Sequence, residues 1–436
     1  GLFFSHSIHR PSYSGKSQLI HIQIINMTLS RSKHIKLTEL LCLIFMMLTA
    51  IALPLNRELV PIILIVWASL ALIFYRWLYL FRLMKRQHLL IILPVLLYVL
   101  SFISTIFFTE NASTGWFKLE VKLSYIILPF IFLPAIGFDR RKIRYVLTAF
   151  IAGNLIASII CFARAFLHFS QSGSDVFYYT QLSYFHHTSY YALYLAFSLA
   201  ALYYLYKQAD KKPLKTFYVI AALFFSITIS FISSKAGLLS LIIVISSISA
   251  FIIYQKFSFL KLAISLFAIA GISFLLLNNY RLASTTHHIS ERTSVHKDSG
   301  ESTQSRILVW KASLELVKEN WVLGTSPGDA SDELVKKYHT MGYSQAELKK
   351  LNCHNQYLET MVSLGLTGIL LLGAILAGPL LIKGSRRHHL FLIFLVLVGF
   401  NFLFESMLEK QSGVVFFMFF YTFFMYNINN ENNDSF

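Results

Sequence analysis

Asn352-Cys353-His354-Asn355-Gln356-Tyr357-Leu358-Glu359 marks the place where a polar stretch of about eighty residues, Asn278 to Tyr357, runs into an apolar one. On both sides of that stretch the chain is close to continuous apolar, helix-forming sequence. A bilayer core of about 30 Å takes about 20 apolar residues per helix, and runs of that length recur along the chain. The stretch therefore reads as the one large wet loop of an all-α polytopic membrane protein. Chemistry that needs water and polar side chains is expected there.

Composition agrees. The chain is 56% hydrophobic and 14% charged, against roughly 25% charged in soluble domains. A net charge of +17 raises nucleic acid as a partner, but the Lys and Arg residues cluster in short gaps between apolar runs, as orientation signals do. The expected partner is the lipid bilayer, with no nucleic acid. Cys42 and Cys161 fall inside apolar runs and Cys353 stands alone, so neither a disulfide framework nor a zinc spacing can be built. Met27 precedes Ser30-Arg31-Ser32-Lys33, which marks residues 1–26 as an expected upstream or non-native extension. The Asn-rich end, from Asn427, is expected to fray.

Twelve spans are expected, at roughly 37–55, 59–77, 89–109, 123–138, 145–169, 188–206, 216–234, 236–254, 258–277, 358–382, 390–407 and 412–428. Basic clusters follow every even-numbered span through the tenth: Arg76/Arg82/Lys85/Arg86, Arg140/Arg141/Lys142/Arg144, Lys207/Lys211/Lys212/Lys215, Lys256/Lys261 and Lys383/Arg386/Arg387. Gaps on the other side carry few, such as Arg57, Lys118 and Lys122. This asymmetry places both termini in the cytoplasm and the 278–357 loop outside. The chain divides accordingly into membrane region 27–277 with nine spans, outer loop 278–357, and membrane region 358–436 with three spans and a cytoplasmic tail.

Within the loop, Ile307, Trp310, Leu314, Val317 and Trp321 recur at helical spacing, predicting an amphipathic helix with that stripe against the bundle. Gly324 and Ser326-Pro327-Gly328-Asp329 end it. Ser344-Gln345-Ala346-Glu347 predicts a capping box opening a further short helix. No internal repeat is evident, so an inverted-repeat transporter gains no support.

Each candidate residue has two readings. His354, at the water–bilayer boundary before a helix, is either a general base for a hydroxyl or a helix-capping residue. Arg306 offers a fork suited to phosphate, or simply snorkels. Lys235, beside Ser233 and Ser234, is either a charge within a span or a residue of a tight outer turn. Arg164 lies near the outer end of a span, where snorkelling would also explain it. His186 and His187 begin another span on the same side. His287, His288, Glu291 and His296 have Ser/Thr-rich flanks, which favour a solvated loop over a metal site. Glu405 is the main acid among the apolar runs, near an outer helix end.

Together these residues resemble the O-antigen ligase and O-antigen polymerase family of bacterial envelope glycosyltransferases. The resemblance is carried by Ser305-Arg306 with Trp310, Gly324, the His354-Asn355-Gln356-Tyr357-Leu358-Glu359 segment and Gly365-Leu366-Thr367-Gly368, in that order. Ser233-Ser234-Lys235-Ala236-Gly237 is similar to a family element that usually carries Arg where Lys235 stands. His187 and Tyr190 are similar to another.

The resemblance implies an inner-membrane enzyme, inverting and independent of metals and cofactors. It would move a glycan from undecaprenyl-diphosphate to an acceptor hydroxyl on the periplasmic face. The acceptor would be lipid A–core for a ligase, or the growing glycan for a polymerase. His354 would be the base, and Arg306 and Lys235 would hold the diphosphate, with His187 and Arg164 as further substrate-binding residues. A transporter or flippase of the same lipid-linked glycan is the competing class.

Overall fold

The computed structural model describes residues 14–174, 176–255, 302–382, 384 and 388–428. Among these, every regular element is helical. The order is α1 (Ser14–Leu55), α2 (Leu59–Phe74), α3 (Trp77–Arg82), α4 (Ile92–Phe108), α5 (Ala112–Val121), α6 (Ser124–Ile131), α7 (Arg140–Ser172), α8 (Tyr179–Leu182), α9 (Thr188–Gln208), α10 (Lys212–Ile232) and α11 (Lys235–Gln255). Then come α12 (Ser302–Glu319), α13 (Ala330–Met341), α14 (Ser344–Leu348), α15 (Gln356–Ala377), α16 (His389–Asn401) and α17 (Gln411–Asn427).

Among the described residues, six segments are long and apolar enough to cross a membrane: His34–Leu55, Arg86–Phe108, Arg140–Ser172, Lys212–Ile232, Lys235–Ile253 and Gln356–Leu381. Helices α2 and α16 are apolar but shorter. The outward faces of α2, α4, α7, α10 and α15 expose Ile65, Leu72, Phe107, Ile159, Leu223 and Leu370, a surface that hydrocarbon accepts and water does not. The chain is a multi-pass membrane protein.

The expected count of twelve spans is not confirmed among the described residues. The expected span 123–138 is α6 followed by a short 3-10 turn, Leu133–Ala135, with Pro129 inside α6 and Pro134 in the turn. Proline removes a backbone donor and crowds the preceding turn, so one long helix cannot form there. The expected span 258–277 lies outside the described residues. So do residues 1–13, loop residues 278–301 with His287, His288, Glu291 and His296, and the basic residues Lys256, Lys261, Lys383, Arg386 and Arg387.

Two helices form the centre. α9 is buried on all sides from Thr188 to Leu202, and α17 from Gly413 to Asn427. A helix apolar all round has nothing to show to water and is enclosed by others. Here α9 packs against α7, α10, α11 and α16. Aromatic rings fill the junction: Phe197 lies 4.6 Å from Phe420 and 5.4 Å from Phe394, and Phe150 lies 4.9 Å from Phe420, centroid to centroid.

The described part of the polar stretch, from Ser302 on, builds its own small core. Leu308, Val309, Ala312 and Leu316 of α12 meet Ala330, Leu334, Tyr338, Tyr343 and Ala346, together with Cys353 and Val362. This corrects the expected stripe, since Ile307, Leu314 and Trp321 are exposed. α12 is apolar on two faces. The one with small residues faces inward, because only Ala312 and Ser313 let α13 and α15 come close. The expected capping box would make Ser344 the N-cap, but the helix already includes Ser344. Tyr343 is the N-cap of α14 without a side-chain cap, and Glu347 turns instead to His339, 3.0 Å away.

Two backbone junctions seat the loop. At the first, the Glu110 and Asn111 N–H groups donate to the Asp329 carboxylate at 2.9 and 2.7 Å. At the second, α15 is broken at Gly365 (φ 60°, ψ −153°) where segment 321–325 lies across it. The Thr325 N–H donates to the Val362 carbonyl at 2.7 Å, and the Leu366 N–H to the Trp321 carbonyl at 2.9 Å. Only glycine fits: a Cβ on Gly324 would lie 2.6 Å from the Leu364 nitrogen, and one on Gly365 would overlap the Val322 carbonyl.

Candidate active site

His354 is placed by the start of α15. Asn355 is the N-cap, and its side-chain oxygen accepts from the Leu358 N–H at 3.1 Å. Gln356 faces the chain between α16 and α17. Its N–H donates to the Phe402 carbonyl at 2.7 Å, and its side-chain oxygen accepts from the Leu408 N–H at 2.6 Å. The 402–408 turn is thus wrapped around one buried glutamine. That leaves His354 itself in a left-handed conformation (φ 45°), its N–H bonded to Asn352 Oδ1 at 3.1 Å.

The wrapped turn carries Glu405. Its Oε2 lies 3.7 Å from His354 Nδ1 and 3.6 Å from Arg306 Nη2 of α12. Burial pushes the Glu405 carboxyl up, but His354, His187 and Arg306 outweigh burial and hold it below the ordinary carboxylate range. His187, the N-cap of α9, is near enough to feel the same charges. Burial pushes its imidazole down, His354 and Arg306 push the same way, and Glu405 opposes them. Four elements distant in sequence therefore meet at one carboxylate.

A second network of charges lies beside it. Glu359, one turn into α15, accepts from the Cys353 N–H at 3.1 Å and the Ser406 hydroxyl at 3.2 Å. Its other oxygen faces Lys118 at 3.6 Å. Lys118 and Lys122 also hold Glu409, at 3.3 and 2.6 Å. The two carboxylates are balanced by two ammoniums, as burial of charge requires. Cys353 and Ser406 are the immediate neighbours of His354 and Glu405, so Glu359 fixes the spacing of those two side chains.

Lys235 is the first residue of α11. It follows Ser233, which ends α10 in the left-handed region (φ 49°). It therefore occupies a turn rather than a mid-span position. Two contacts bring the head of α11 to the Glu405 end of the bundle: Gly237 packs on Ala192 of α9, and Asn401 Nδ2 donates to Ser240 Oγ at 2.8 Å. Arg164 is placed differently. It stacks over the Tyr184 ring at 4.3 Å and reaches the Gln181 carbonyl at 3.4 Å, so its contacts are with the loop before α9 and not with the Glu405 group.

The site thus gathers two imidazoles, a guanidinium and a carboxylate, side chains that offer positive charge and proton-accepting atoms. Residues 219–373 match the family model described as O-antigen ligase. The O-antigen ligase match runs from within α10 through most of α15 and includes Lys235, Arg306 and His354, so the resemblance carried by those residues is borne out. It supports O-antigen ligase or polymerase-type glycosyl transfer in general. No curated protein matches the chain. Glu405, at the centre of the cluster, lies outside the matched segment. The sequence signal for it was an acid between apolar runs, which by default marks function. Lys118 and Lys122 look like ordinary loop charges until α5 folds back toward α15.

Proposed function

We propose that the protein transfers a glycan from undecaprenyl-diphosphate to an acceptor hydroxyl, with His354 as general base. The observation that carries this reading is the meeting of His354 and Arg306 at one end of the bundle, inside the O-antigen ligase match. His354 takes the proton from the acceptor hydroxyl. The freed oxygen pair forms the new bond to the anomeric carbon as the bond to the diphosphate oxygen breaks, and the electron pair leaves with the diphosphate. Attack from the face opposite the leaving group inverts the centre. Arg306 and Lys235 stabilise the departing charge, Arg306 by its fork and Lys235 as a point charge. His187 lines the same place. No metal or cofactor enters this scheme.

The acceptor is lipid A–core or the end of a growing glycan. The membrane is the bacterial inner membrane, with twelve spans and the 278–357 loop in the periplasm. Supporting that orientation, Lys212 stands at the start of the segment Lys212–Ile232, whose far end leads into Lys235.

The test is transfer from purified undecaprenyl-diphosphate glycan. A positioned base contributes about 10²–10⁴-fold, which is about 3–5 kcal/mol of barrier. His354→Ala and His354→Gln should both lose activity by that order while carrier binding persists. Near-normal turnover by His354→Gln would remove His354 as the base, and His187 would be tested next.

A further inference from the structure

Glu405 has no task in the transfer scheme, although its side chain is more enclosed than those of Arg306 and His354. Its Oε2 is buried and has no hydrogen-bond partner, and the same is true of His354 Nδ1, 3.7 Å away. Two complementary buried atoms, both unsatisfied and less than 1 Å beyond hydrogen-bond range, are costly unless something brings them together. The His354 side chain is 26% exposed, and since Nδ1 is shielded, that exposure lies on the rest of the ring. Catalytic hydrogen bonds that are long in an empty site shorten when substrate is bound.

We propose that Glu405 is the positioning residue for His354. It accepts a hydrogen bond from Nδ1–H, fixes the tautomer whose free Nε2 faces the acceptor hydroxyl, and balances the imidazolium formed when Nε2 takes the proton. The surrounding bonds suit this role. Gln356 holds both ends of the 402–408 turn, and Glu359 ties Ser406 to Cys353, so the carboxylate and the ring are set against each other from two sides. The groups facing the carboxylate are Arg306 from α12, His354 before α15, and His187 with Tyr190 at the start of α9. Lys235 stands at the same end of the bundle. Glu359, Glu409, Lys118 and Lys122 form the adjoining network. Arg306 shares the carboxylate, which keeps it charged while His354 cycles between neutral and protonated forms.

This inference rests on His354 being the base, and the experiment separates the two. Wild type, Glu405→Gln, His354→Gln and the double variant are compared by transfer kinetics across pH, with detergent-solubilised stability measured alongside. Glu405→Gln should lower kcat by between about 10-fold and about 10⁴-fold, the span from losing an outer hydrogen bond in a metal site to losing the orienting aspartate of a protease triad. KM for the donor should change little. The acidic limb of the kcat/KM profile should move to lower pH, because an imidazolium without its counter-charge is formed less readily. In the His354→Gln background the same change should cost less than about threefold, since residues acting as a unit are non-additive.

Two outcomes overturn the proposal: an unchanged rate and limb in Glu405→Gln while His354→Gln is crippled, or a rise in KM alone, which would make Glu405 only the counter-ion of Arg306. Full activity in His354→Gln would instead overturn the base assignment itself. If Glu405→Gln is not recovered folded, Glu405→Asp decides. It keeps the charge but retracts the carboxylate by one methylene, so it should keep the limb and lower kcat, and an unchanged kcat would end the proposal.

Discussion

Lys122 and Lys118 approach opposite oxygens of Glu409 at 2.6 and 3.3 Å, all three side chains being almost wholly enclosed. Breaking such a buried group by removing one partner costs about 3–5 kcal/mol, because the remaining charge has no solvent to turn to. Lys122→Met should therefore lower the unfolding temperature of the solubilised protein markedly, and an unchanged melting curve would show that water reaches the network. Burial pushes the Glu409 carboxyl up, but Lys122 and Lys118 outweigh it and hold it well below the ordinary range. A carboxyl depressed by folding contributes stability that is complete above its unfolded value, about 4.3. That stability is lost as pH falls through the lowered folded value. Wild type should lose thermal stability below about pH 4.3, and Lys122→Met should show a shallower acid loss. At the same scale, Arg306→Ala should abolish most transfer, whereas Lys235→Arg, which restores a fork, should retain or raise it. Wild-type transfer by Lys235→Ala would mark that lysine as a turn residue without a catalytic task.

At the scale of elements, α15 depends on a break that its apolar sequence conceals. Gly365 sits in a region of backbone space essentially reserved for glycine, and the 321–325 segment lies where its Cβ would be. Gly365→Ala combines backbone strain of about 1–3 kcal/mol with a collision against the Val322 carbonyl. It should lower both stability and transfer by shifting α12, and Arg306 with it. Gly373, in the same helix, has open space around it, so Gly373→Ala should be neutral in both assays. Equal behaviour of the two variants would show that the break does not position α12. The spacing of Gly324, Gly365 and Gly368 was legible in the sequence as part of a resemblance, but its reason was not. A glycine needed for a long-range backbone approach looks the same in sequence as one needed for a local turn. Likewise, a three-four spacing located α12 without telling which of its two apolar faces would be covered.

For the whole molecule, the alternation of basic clusters with apolar runs correctly indicated many helices with a polar insertion. It could not distinguish a helix facing lipid from one enclosed by other helices. α9 and α17 read as ordinary spans, yet they are the buried axis of the bundle, because hydrocarbon and a packed aromatic core select the same residue types. The orientation is testable directly: reporter fusions at Lys211 and Ser299 should report opposite sides of the membrane, with Ser299 outside. A cytoplasmic signal at Ser299 would invert the scheme and remove the site from the periplasm. The seating of the polar loop also bears on how such a protein can diversify. Both junctions use main-chain groups on at least one side, and at the α15 junction two glycines leave the room that the crossing main chains need. A loop of different sequence would dock in the same register if it kept glycine at 324, an acid at 329 and small residues at 312 and 313, and met glycine at 365. A new preference could thus be grafted by recombination within residues 302–353, provided that Arg306, Cys353 and the small inward face of α12 are kept, since these meet Glu405, Glu359 and Val362.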